Sequence, residues 1–155
     1  MHAGAGNLYS IDYFTLARRV LRDRGVMLQW IGHREEAHYK LIMRTFLRAF
    51  PHTTLWADGS LMLGSMTPLR ISRAAYEERL RDRQLLFGLS RVRLDTFQAL
   101  LDRYTAGPDE MRRFVGEGAV LTDDRPLLEY HRSLSEVSRP LDLSTLTGDV
   151  RRHLE

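Results

Sequence analysis

The sequence contains no cysteine. Disulfides, thiolate metal centres and cysteine nucleophiles are thereby excluded, and thiol content can report nothing about the redox compartment. Lysine is nearly absent as well: Lys40 is the only one among the 23 basic residues. No run of 18 apolar residues occurs, so no segment reads as a bilayer span. Met1 to Gly6 offers neither a basic n-region nor an apolar h-region, which excludes a visible secretory signal and makes the cytoplasm the expected location. Internal repeats and low-complexity stretches are missing too.

What is present suits a compact α/β chain. A hydrophobic share of 43% over 155 residues is enough for one buried core. The net charge of +3 is small, and the arginines are dispersed among acids without a basic face interleaved with aromatics. A nucleic-acid partner is therefore not expected.

Ser10 is placed to cap a helix running to about Arg22, with Asp12 in its first turn and Phe14, Ala17, Val20 and Leu21 on one face. Gly25 stops it, and Val26 to Ile31 reads as a short buried strand containing Trp30. A second amphipathic helix is predicted over Glu35 to Phe50 and closed by Pro51. Thr53 to Ala57 and Leu61 to Met66 then flank Asp58-Gly59-Ser60, a connection suited to a tight antiparallel hairpin. Beyond Pro68 helical periodicity returns in Ser72 to Phe87, Leu94 to Tyr104 and Pro108 to Val115. A last helix is predicted to start near Asp124 to Pro126. The tail from Ser138 is weakly patterned and is expected to be mobile. The shift near Pro68 divides the chain into an α/β part, residues 1–68, and an all-helical extension, residues 69–155.

Isolated motifs carry little chemistry. In His33-Arg34-Glu35-Glu36-Ala37-His38 the histidines are five apart, which turns them about 140° from one another on a helix; a shared metal needs a separation of four. No metal site is expected. Asp123, Asp124 and Glu129 cluster, but an acid just before Pro126 reads as a helix-start cap and Arg125 with Glu129 as a surface pair. Gly4-Ala5-Gly6 has no strand before it and reads as a loop rather than a nucleotide fingerprint. No catalytic constellation is legible.

Three stretches together resemble the polyamine aminopropyltransferase, or spermidine synthase, family, especially its bacterial branch that is often fused to transporter-like segments. They are Gly6-Asn7-Leu8-Tyr9-Ser10-Ile11-Asp12-Tyr13-Phe14, then Gly25-Val26-Met27-Leu28-Gln29-Trp30 with the helix ending Arg44-Thr45-Phe46-Leu47-Arg48-Ala49-Phe50-Pro51, and Leu121-Thr122-Asp123-Asp124-Arg125-Pro126-Leu127-Leu128-Glu129-Tyr130. The resemblance implies the C-terminal half of a Rossmann-like class I methyltransferase fold. About three strands are expected, parallel plus one antiparallel hairpin strand, with the Val26 strand parallel to a neighbour outside this chain. It also implies decarboxylated S-adenosylmethionine as co-substrate, held by a Gly-rich turn and acids that this chain does not contain, so that no cofactor is bound by the chain alone.

On this reading Asn7 and Leu8 border the cofactor, while Gln29 and Trp30 lie at the carboxyl end of a strand, where open α/β sheets place ligands, and border the polyamine. The expected function is that of an aminopropyltransferase fragment, inactive alone. Its partner would be the missing N-terminal half or a second copy, and membrane association would arise if transporter-like segments accompany it. Two alternatives stand beside it: a non-catalytic assembly module that uses an exposed sheet edge, and part of a methyltransferase-fold enzyme with another acceptor.

Overall fold

The computed structural model describes residues 8–32, 35–124 and 139–155. Helix α1 (Ile11–Val20) is followed by β1 (Val26–Trp30), α2 (Glu36–Ala49) and the hairpin β2 (His52–Trp56) with β3 (Leu61–Ser65). Then come α3 (Arg73–Arg79), α4 (Arg83–Arg91), α5 (Phe97–Leu101), β4 (Tyr104–Ala106), α6 (Pro108–Val115) and a 3-10 turn at Val150–His153. No described helix is long and apolar enough to cross a membrane.

The caps explain the boundaries. The Ser10 hydroxyl accepts from the Tyr13 N–H, as its position predicts. The helix predicted over Ser72 to Phe87 is two helices: Asp82 accepts from the Gln84 and Leu85 N–H groups and so restarts the chain as α4. Thr96 caps α5 in the same way, which shortens the helix predicted from Leu94. Pro108 sits in the first turn of α6 and Glu110 accepts from the Gly107 N–H. Residues 125–138, where the last predicted helix falls, lie outside the described residues.

The four strands form one sheet in the order β1-β3-β2-β4, and every ladder between them is antiparallel. This corrects the expectation of parallel pairing. β1 and β2 do run parallel to each other, with α2 between them in sequence, but β3 is inserted between them and pairs with both. The β2–β3 hairpin is present as predicted. Its turn holds Ala57, Asp58 and Gly59 at φ 53, 53 and 84°, and the Ser60 N–H closes it on the Ala57 carbonyl at 3.0 Å.

A further correction concerns the extension after Pro68, which is not all helical: Tyr104–Ala106 adds a fourth strand to β2. The tail is also placed rather than loose. Leu146 is buried, and Ile71 exchanges backbone hydrogen bonds with His153 and Glu155 at 2.7 and 3.1 Å.

The core lies on one face of this sheet. Phe14 of α1 meets Phe46 of α2 edge-on at 5.0 Å between ring centroids, and Phe46 lies 4.9 Å from Phe50. The Phe46 ring and the Phe50 Cβ sit against Gly64 of β3, where an added Cβ would come within 2.6 Å of the first and 2.8 Å of the second. Close helix–sheet contact is what glycine permits there. Leu55, Met62, Ala106 and Met111 complete the buried layer.

Residues 119–124 fasten the helices together. Arg44 donates to the carbonyls of Val115, Gly116 and Ala119, satisfying the carboxyl end of α6. The Thr45 hydroxyl accepts the Leu121 N–H at 2.9 Å, and the Ile11 N–H donates to the Leu121 carbonyl at 2.8 Å. Asp12, read as a first-turn charge, accepts the Asp123 N–H at 3.0 Å.

Candidate functional site at the carboxyl end of the first strand

β1 alternates exposed and half-buried residues along its length. Val26, Leu28 and Trp30 face outward on the side away from α2, while Met27 packs on the core. Trp30 is 60% exposed. The expectation of a buried strand fails because β1 ends the sheet: among the described residues only β3 pairs with it.

Beyond Trp30 the chain passes under its own indole. A Cβ on Gly32 would fall 1.9 Å from the indole Cη2, so any larger residue there would push the Trp30 ring off the backbone. The Trp30 carbonyl receives the Gln29 side-chain amide at 3.0 Å and the Tyr9 hydroxyl at 3.4 Å. The Gln29 amide is thus turned back onto the backbone rather than outward. Burial raises the Tyr9 phenol above its ordinary value.

These residues border a cleft of about 400 Å³ lined by Trp30, Ile31, Gly32 and Tyr39, by the Asp58–Ser60 turn, and by Leu141 and Leu143. Tyr39, buried in α2, donates to the Gly59 carbonyl at 2.6 Å, and loss of solvation on burial holds its phenol well above the usual range. It is a fixed neutral donor, not a base. Asp58 is the sole carboxylate in the lining and is exposed. The cleft can therefore hold a small ligand against aromatic and backbone surface, but it offers no paired nucleophile and base.

Of the residues singled out in the sequence, Gln29 and Trp30 stand together at this cleft, with Trp30 in its lining. Leu8 is 54% exposed and precedes Tyr9, whose hydroxyl reaches the Trp30 carbonyl. Asn7 lies outside the described residues, as do His33 and Arg34. His38 is buried in α2 with its Nδ1 3.2 Å from the Glu35 carboxylate. Among the described residues no group of three His, Asp or Glu side chains gathers to hold a metal. Sequence reasoning missed Gly32, Tyr39 and Gly59; a glycine two residues after a strand-end tryptophan was the one local signal.

Comparison with protein-family models, with curated proteins and with solved structures finds no match to this chain.

Proposed function

We propose that this chain is the C-terminal portion of a spermidine-synthase-like α/β transferase, built to be completed by a cofactor-binding unit along β1, and that it transfers no aminopropyl group by itself. The observation that carries the reading is spatial. The three stretches that resemble the family, far apart in sequence, meet: Tyr9 contacts the Trp30 carbonyl, and Ile11 and Asp12 bond Leu121 and Asp123.

The sheet adds support, because an antiparallel hairpin strand set between two strands that run parallel suits the half-fold of a class I methyltransferase. On this reading Asn7 and Leu8 border decarboxylated S-adenosylmethionine, and Gln29 and Trp30 border the polyamine. Aminopropyl transfer requires the donor held in line with an attacking amine and a base for its proton. The cleft's own groups supply an aromatic wall, neutral donors and one exposed carboxylate, Asp58, with no second group to hold the donor in line.

A second reading is favoured by β1 itself. Val26-Met27-Leu28-Gln29-Trp30 has no charge and no proline, the usual protections of an edge strand, so it also suits a non-catalytic module that pairs with another chain.

The test is co-expression with the cofactor-binding half of a spermidine synthase, followed by co-purification and an assay of methylthioadenosine release from putrescine and decarboxylated S-adenosylmethionine. Release by the complex and none by the chain alone is expected. Release by the chain alone would overturn the transferase-portion reading, failure to form a complex would sink it, and a monodisperse monomer in sedimentation of the chain by itself would count against the assembly module.

A further inference from the structure

The sheet face turned away from α2 holds a second recess that the transferase reading does not use. Leu28, Trp56, Leu61 and Leu63 form its floor, in register across β1, β2 and β3. Ile71, Val92, Leu94 and Leu100 wall it from the α3–α5 side. Its volume is about 470 Å³, within the range of small-molecule sites. Trp56, Leu61, Leu63, Ile71, Leu94 and Leu100 are half-buried, while Leu28 and Val92 are 58% and 55% exposed and Arg103 is open to solvent.

Polar chemistry in the lining is confined to one place. Arg103 is the only charged residue there, and among the described residues its guanidinium makes no ion pair or hydrogen bond. The one other side-chain donor, the Trp56 indole N–H, is already given to the Thr54 hydroxyl at 2.7 Å. An occupant must therefore be apolar along its length and carry one negative end. A peptide segment would leave its backbone polar groups unsatisfied against the leucine floor. An ammonium-headed amphiphile would be repelled by Arg103, whereas a carboxylate matches the planar fork of a guanidinium.

We propose that this recess binds an amphiphilic monocarboxylate, a medium-chain fatty acid, with its tail on the Leu61 and Leu63 floor and its carboxylate on Arg103. The site stands on its own lining and does not depend on the transferase reading.

Decanoate and decanol are the probes, titrated into the purified chain and followed by tryptophan fluorescence. Trp56 and Trp30 are the two tryptophans, and the Trp56→Phe and Trp30→Phe variants assign the signal. Saturable decanoate binding is expected, about tenfold tighter than decanol, with the response lost in Trp56→Phe and kept in Trp30→Phe. Arg103→Met should weaken decanoate by about tenfold and leave decanol unchanged. Its circular dichroism should match the parent, since the guanidinium holds no structural partner. The absence of saturable binding, equal affinity for acid and alcohol, undiminished decanoate binding in Arg103→Met, or a signal that follows Trp30 would each overturn the proposal.

Discussion

Helices α2 and α4 carry similar amphipathic patterns and meet opposite fates. α2 buries Tyr39, Ile42, Met43 and Phe46 against the sheet and its flanking helices. No residue of α4 is fully buried, and Leu85, Leu86 and Phe87 remain exposed. Periodicity announces that a helix has an apolar face; it does not say that the chain supplies something to cover it. One face of the sheet is a packed core, and the other is a partly roofed surface.

Truncation of aromatic rings separates the two regions most sharply. Phe46→Ala, at the centre of the α1–α2–sheet layer, should cost about 3–5 kcal/mol in urea unfolding. Phe87→Ala, on a ring 66% exposed in α4, should fall within about 0.5 kcal/mol of the parent. Equal losses would mean that α4 is as firmly packed as α2.

A glycine pair gives a smaller effect of opposite sign. Gly64→Ala drives a methyl into the Phe46 and Phe50 side chains and should destabilise by about 1–3 kcal/mol. Gly88→Ala, inside α4 with no atom within 4 Å of the new Cβ, should stabilise by about 0.5–1 kcal/mol through helix propensity alone. A loss at Gly88 would reveal contacts on the open side.

The smallest difference is one of pH. The neutral Tyr39 phenol is favoured in the folded chain, so its contribution is complete below its ordinary value of 10.0 and is lost as pH rises beyond it. Tyr39→Phe should cost about 1 kcal/mol at pH 7 by removing the bond to the Gly59 carbonyl. It should also reduce the alkaline fall in stability, leaving the shares of Tyr9, Tyr76 and Tyr104, whose phenols burial likewise raises. Unfolding curves taken on either side of pH 10 check both signs.

Where local chemistry decided the structure, the sequence was readable. Pro51 bounded α2, the Asp58-Gly59 turn marked the hairpin, and Pro108 opened α6. Where a cap interrupted a continuing pattern, or a distant partner decided the structure, the reading failed. Asp82 breaks a run whose periodicity continues across it, and Tyr104-Thr105-Ala106 is too short to signal a strand without β2 beside it. The apolar run Val26 to Ile31 reads as a buried strand; only the sheet order reveals that it is an edge. Gln29 and Trp30 were legible as a strand end. Their cleft was not, since Tyr39 and the Gly59 turn reach it only through tertiary contact.

The bridge between Ile71 and Leu154 gives the molecule a topology that its element order conceals. The excursion through α3, α4, α5, β4 and α6 begins just after Ile71, and Leu154 brings the chain back beside that same residue. His153 reinforces the closure through its ring nitrogens, near the Leu69 carbonyl and the Tyr104 hydroxyl. The last few residues thus act as a clasp on a closed loop. Exchange of α4 between copies would require that clasp to open first, because Ile71 is held on both its backbone N–H and its carbonyl.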